Sequence, residues 1–181
     1  MKVVNTDIPD VKIIEPKVFG DERGFFYESY NQENLKKEAG IEAYFVQDNH
    51  SRSVRGVLRG LHYQTNQVQG KLVRVVAGEA FDVAVDLRTS SSTFGKWVGV
   101  HLSAENKKML WVPPGFAHGF LTLSPQADFL YKTTDFYDPK SECCIRWDDP
   151  DLDIVWPWEG LPSLSQKDSQ GKRFKEAAVF S

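Results

Sequence analysis

The chain has 181 residues, with 22 basic against 25 acidic side chains and a formal net charge of −3. That balance argues against a surface that tracks nucleic-acid phosphates, while leaving room for a small anion held by a few local Arg and Lys side chains. At 41% hydrophobic and 26% charged residues the composition is globular rather than disordered or collagen-like, and no stretch approaches the ~18 apolar residues of a membrane span.

The start, Met1 to Asp7, lacks the apolar run of a secretory leader. The only cysteines, Cys143 and Cys144, are chain neighbours, between which a bridge is strained. Both features lead to the expectation of a reducing cytoplasm. Asn31 to Ala39 predicts a short helix, with Asn31 as N-cap and Gly40 past its end. The β-branched run Lys71 to Val76 predicts a strand stopping at a hairpin turn, Gly78-Glu79. Next, Phe81, Val83, Val85 and Leu87 alternate with Ala80, Asp82, Ala84 and Asp86, the period of a strand with one face inward. A loop at Ser90 to Thr93 precedes a strand at Trp97 to Leu102. Apolar runs follow at 108–112, 116–123 and 128–134, divided by Pro113-Pro114-Gly115 and Ser124-Pro125. The tail from Pro162 predicts a turn or short helix. Short strands at such spacing indicate an all-β antiparallel sandwich or barrel, and without repeats or linkers residues 1–181 read as a single domain.

Gly, His and charge concentrate in two segments, His50 to Gln64 and Val112 to Phe120. Glycines weaken a strand unless something approaches the backbone closely, so beside Arg59 and His62 they mark either a ligand pocket within a sheet or a tight barrel corner.

Four motifs, Arg59-Gly60-Leu61-His62-Tyr63-Gln64, Pro114-Gly115-Phe116-Ala117-His118-Gly119-Phe120, Tyr131-Lys132-Thr133-Thr134-Asp135-Phe136-Tyr137 and Leu164-Ser165-Gln166-Lys167-Asp168, together resemble the dTDP-4-dehydrorhamnose 3,5-epimerases of the cupin superfamily. The resemblance keeps the motif order over nearly the whole chain. It implies a metal-free antiparallel jelly roll with few short helices, a homodimer, and action on dTDP-4-dehydro-6-deoxyglucose without a cofactor. It implies neither a nucleic-acid nor a membrane partner.

Roles carried over from that resemblance have chemical reasons. The hydrogens at C3 and C5 of the sugar flank the C4 ketone, so removing either gives an enolate, and a base with pKa near neutrality suits the task. The resemblance makes His62 that base, Asp168 the carboxylate orienting its ring, Tyr131 the acid on the opposite face and Lys71 the cation beside the enolate oxygen. Taken singly, Asp168 reads as a solvated tail residue, Tyr131 as an ordinary strand aromatic and Lys71 as a polar strand end. For the nucleotide, the resemblance has Arg59 and Lys167 meet phosphate, Tyr137 stack on the base, and Arg23 and Glu28 reach in from a neighbouring chain. Gln47, Asn49, His118 and Glu142 fall on substrate-lining positions, although Arg23 alone reads as a charged turn and Glu142 as a loop charge.

Metal cupins typically carry a His-x-His pair, but Tyr63-Gln64 follows His62. A trio of His50, His62 and His118 lacks a clear carboxylate partner, so no metal is expected. His101 reads as exposed or satisfied by a neighbour. Trp147, Trp156 and Trp158 read as packing residues, while Arg52 and Arg55 suit either pocket or solvent. A single-carbon epimerase, a ketoisomerase, a silent sugar-nucleotide binder and a metal-dependent oxygenase are the alternatives. His62 with Tyr131 favours an epimerase, without fixing whether one or two centres invert.

Overall fold

The computed structural model describes residues 1–181. In chain order the elements are β1 (Lys2–Asn5), β2 (Lys12–Glu15), β3 (Phe19–Asp21), β4 (Gly24–Phe26), α1 (Gln32–Ala39), β5 (Gln47–Val54), β6 (Leu58–Gln64), β7 (Lys71–Ala77), β8 (Glu79–Asp86), β9 (Trp97–Ser103), β10 (Met109–Val112), β11 (Phe116–Thr122), β12 (Gln126–Thr133), β13 (Glu142–Cys144) and α2 (Gln166–Ser169), followed by a 3-10 turn at Phe174–Glu176. The strands form a six-stranded sheet, β1-β2-β10-β7-β12-β5, a five-stranded sheet, β13-β6-β11-β8-β9, and a separate β3-β4 hairpin. Pairing between these strands is antiparallel throughout. This is the expected all-β, cupin-like architecture. No helix is long and apolar enough to cross a membrane.

The interior is filled from both sheets. Val73 and Val75 of β7 and Phe129 of β12 meet Ala84 of β8, Val98 and Val100 of β9 and Phe120 of β11. Phe120 and Phe129 stack with ring centroids 4.0 Å apart, and burying each large apolar side chain stabilises the fold by roughly 1.5–3 kcal/mol. Outside the six-stranded sheet, α1 lays Leu35 and Ala39 on Ile14, Leu72, Met109 and Trp111. Its ends are as the sequence predicts, because the Asn31 side chain accepts from the Asn34 N–H and Gly40 closes the helix at φ 65°.

Two expectations need correction. The alternation in β8 predicts one open face, yet Ala80 through Asp86 are all buried. Phe81, Val83 and Val85 pack outward against Ile145, Leu152 and Trp156 of the returning C-terminal segment, while Ala80 and Ala84 face the sandwich interior. Periodicity separates two faces of a strand but does not reveal what covers each. Second, β7 and β8 belong to different sheets, so Gly78-Glu79 is a corner rather than a hairpin turn. Gly78 takes φ +71°, and a Cβ there would sit 2.0 Å from the Gln126 carbonyl oxygen.

Candidate active site

Both sheets supply one cavity of about 340 Å³, a volume suited to a small ligand. On the six-stranded sheet the two-residue period points Gln47, Asn49 and Ser51 of β5, and Phe129 and Tyr131 of β12, the same way, and Lys71 opens β7 beside them. From the five-stranded sheet come Arg59 and His62 of β6, His118, Gly119 and Phe120 of β11, and Glu142 of β13, with Gln69 and Tyr137 at the rim. Of the two readings left open for the glycines, pocket or tight corner, Gly119 lines this cavity, and Gly60 and Gly119 also sit where β6 and β11 approach closely at a break in register. A Cβ on Gly119 would lie 2.7 Å from the Arg59 carbonyl oxygen, and one on Gly60 would lie 2.5 Å from the Gly119 Cα.

His62 and Asp168 form a dyad, with Nε2 donating to Oδ1 at 2.5 Å. Asp168 is buried at the start of α2, where Ser165 Oγ donates to its Oδ2 at 2.7 Å and accepts from its backbone N–H at 3.1 Å. Burial alone would raise the pKa of this carboxyl, but the bonds from His62 and Ser165 hold it below the usual value. The anion therefore keeps the Nε2 proton on the imidazole, and Nδ1 carries the free lone pair. The solvated-tail reading of Asp168 is thus replaced by a buried dyad member. Ser165 escaped the sequence reading, although the Ser-x-x-Asp cap pattern was visible.

A second pair lies deeper. His118 Nε2 and Asp82 Oδ1 are 2.8 Å apart, and burial favours the neutral form of each, pushing Asp82 up and His118 down. Asp82 was also missed, because an acid on an alternating strand reads as solvated. Lys71 is 8% exposed. Burial lowers its pKa to about 8, against the opposing pull of Asp82 and Glu142. Burial, then the nearby Glu142 charge, push the Tyr131 phenol up, so it stays protonated.

At the rim, Tyr137 Oη donates to Glu142 Oε2 at 2.6 Å, and Lys167 pairs with the same carboxylate. Lys167 itself lines a neighbouring depression with Cys144 and Ser165. Arg59 is exposed and donates from Nε to Ser53 Oγ at 3.0 Å. Arg23 and Glu28 lie outside the cavity. Arg23 pairs with Asp21 on the β3-β4 hairpin, and Glu28 accepts from the side-chain amides of Asn31 and Asn34.

The trio His50, His62 and His118 is not assembled, since His50 is exposed and faces Asp128 at 3.5 Å. The side chains that do converge as potential metal ligands are those of His62, Cys144 and Asp168, within 4.8 Å of one another. Arg52 binds Asp128 through two bonds of 2.6 and 2.8 Å, and Arg55 lies over Trp158. His101 meets Glu79 at 2.7 Å. Trp156 donates to the Trp147 carbonyl and packs edge-on against Phe81.

Sequence and structure comparisons agree with this geometry. The sequence model described as dTDP-4-dehydrorhamnose 3,5-epimerase matches residues 5–176. The Pseudomonas aeruginosa protein of that name is 62% identical over 180 residues, covering 99% of each chain. A Legionella pneumophila dTDP-6-deoxy-D-glucose-3,5-epimerase, solved in complex with dTDP-4-keto-L-rhamnose, superimposes with a TM-score of 0.95 at 57% identity over 98% of this chain and 94% of that one. The Bacillus anthracis dTDP-4-dehydrorhamnose 3,5-epimerase, solved with TDP and PPi bound, gives 0.91 at 46% identity over 95% and 98%. Identity of this level along almost the entire length places the chain in the dTDP-4-dehydrorhamnose 3,5-epimerase family.

Proposed function

We propose that the chain converts dTDP-4-dehydro-6-deoxy-D-glucose to dTDP-4-dehydro-L-rhamnose, inverting C3 and C5 through enolates without a cofactor, in dTDP-L-rhamnose synthesis. One observation carries the residue roles: His62 and Tyr131 enter the same cavity from opposite sheets, with Asp168 2.5 Å behind the imidazole. His62 Nδ1 takes the proton from carbon, and Asp168 steadies the imidazolium that forms. Lys71, cationic at neutral pH, stabilises the charge developing on the C4 oxygen. Tyr131, held protonated, delivers a proton to the other face of the enolate, which is what inversion requires. Arg59 and Lys167 suit the diphosphate, Tyr137 the thymine, and Gln47, Asn49, His118 and Glu142 the remaining polar contacts.

The homodimer belongs to this reading. Phe19, Phe25 and Phe26 on the β3-β4 hairpin are 53%, 64% and 67% exposed, an apolar surface that suits a second copy. A hairpin delivered to the partner's cavity explains how Arg23 and Glu28 serve a site distant from them. A single domain over 1–181 is supported by the cavity that the two sheets share, and a cytoplasmic setting by the unpaired Cys143 and Cys144.

Incubation with the 4-keto sugar nucleotide in D2O, followed by NMR location of the label and of product configuration, tests the proposal. Label at both C3 and C5 with inversion is expected, and inversion at one carbon would narrow the activity. His62→Asn is expected to lose exchange at both carbons while still binding dTDP, and exchange surviving that change refutes the base. For the dimer, inactive His62→Asn and Arg23→Ala chains are mixed; recovered activity is expected, since half the sites of a hybrid dimer are intact.

A further inference from the structure

We infer that His62, Cys144 and Asp168 form a site for a thiophilic divalent cation such as Zn2+ or Cd2+, and that its occupation switches the enzyme off from behind the catalytic imidazole. This rests on the reading of His62 as the base. The register of β13 on β6 sets Cys144 directly opposite His62, so both side chains leave the same face of the sheet. Asp168 arrives at that point from α2. His62 Nε2 and Asp168 Oδ1 are 2.5 Å apart, and Cys144 Sγ, whose shorter contact is the Ile145 carbonyl oxygen at 3.6 Å, lies 4.0 Å from that carboxylate oxygen. The three ligand atoms lie within 4.8 Å of one another. Zinc bonds of about 2.0–2.3 Å in tetrahedral geometry need ligand separations of roughly 3.3–3.7 Å. The histidine and carboxylate therefore part by about 1 Å to admit an ion, while the sulfur closes in by roughly 0.5 Å on Asp168 and by up to about 1 Å on His62. One nitrogen, one sulfur and one oxygen form a borderline-soft set that suits Zn2+ or Cd2+ rather than Mg2+ or Ca2+. Ser165 already fixes the other carboxylate oxygen, the outer-shell anchoring that oriented metal ligands need.

The ion has its own entrance. Cys144 does not line the substrate cavity but opens, with Ser165, Gln166 and Lys167, onto the neighbouring depression. Binding breaks the Cys144 S–H bond, forms a sulfur–metal bond and releases that proton to solvent. At His62 the metal takes the Nε2 lone pair, and the ring's single proton moves through solvent from Nε2 to Nδ1. The nitrogen that accepted the substrate proton then has no lone pair to offer. Because the cavity itself stays open, inhibition is noncompetitive: kcat falls while KM holds.

The test titrates the intact protein with Cd2+, reading the ultraviolet thiolate-to-cadmium charge-transfer band and epimerisation kinetics in parallel. In wild type and Cys143→Ser, one equivalent of ion is expected to develop the band and lower kcat at constant KM. In Cys144→Ala, with Cys144→Ser as a second variant should Ala unfold the chain, basal turnover is expected to persist. The band should vanish, and half-inhibition should need about tenfold or more additional cadmium. Wild-type inhibition in Cys144→Ala, a band lost instead in Cys143→Ser, or inhibition competitive with substrate overturns the inference. So does a band that develops with turnover unchanged while His62→Asn is inactive. Retention of activity in His62→Asn fails the proposed base instead, and the dependence of the band on Cys144 still reports the binding site independently.

Discussion

Replacing Lys71 with Met is expected to cost the enzyme most of its rate while making the fold more stable. Lys71 is 8% exposed, and burial lowers its pKa from 10.5 to about 8. At pH 7 the folded chain must carry a cation that is easier to protonate when unfolded, which opposes folding by roughly 3 kcal/mol. The sign follows from the direction of the shift. The penalty is fully present below about pH 8 and is relieved as pH rises toward 10.5, where the unfolded chain also loses the proton. It falls to about 1 kcal/mol at pH 9.5. The pull of Asp82 and Glu142 on the Lys71 cation is already contained in the shift, so the net gain is on the order of 1–3 kcal/mol at pH 7. Urea unfolding of both proteins at pH 7 and 9.5 measures it, and the advantage should shrink by more than half at the higher pH. Turnover should drop by about 10²–10³, as when one oxyanion-stabilising donor is removed. A variant less stable than wild type at pH 7, or a difference indifferent to pH, would refute the view of Lys71 as a buried cation kept for catalysis.

Asp168→Asn removes the charge behind His62 and should lower kcat about ten- to a hundredfold, the worth of a hydrogen bond to an ionised group, with KM unchanged in steady-state assays. Gly119→Ala brings a methyl group to 2.7 Å from the Arg59 carbonyl oxygen, and thermal unfolding should report a loss of about 1–3 kcal/mol from overpacking. Asp86 is fully buried, and although burial opposes its charge, bonds from Arg88 and Thr93 lower its pKa from 3.8 to about 2. Its ionised form thus contributes stability above pH 3.8 that is lost as pH falls through about 2, so Asp86→Asn should cost about 2 kcal/mol at pH 7. That difference should close in urea titrations repeated between pH 4 and 2.

Local physics was legible along the chain. Asn31 and Gly40 bracket α1 because capping needs only a side-chain acceptor and a residue at ease with positive φ, both written within a few positions. The strand at Lys71–Ala77 and the apolar runs after it follow from β-branched content and punctuating prolines. The family resemblance, carried by motifs kept in order, implied that His62, Tyr131, Lys71 and Asp168 act as one group, and all but Asp168, which stands behind His62, line the cavity. Tertiary structure decided the rest. Whether Asp82 met water or His118 depended on β11 pairing with β8 and on the opposite sheet closing over the Ala80–Ala84 face. Whether Gly78 turned a hairpin or a corner depended on which sheet β8 joined. The pairing of Cys144 with His62 came from a register between strands far apart in the chain. Side-chain alternation and caps are set by neighbours a few bonds away, whereas register, layer order and burial are set by contacts that form only when distant segments meet.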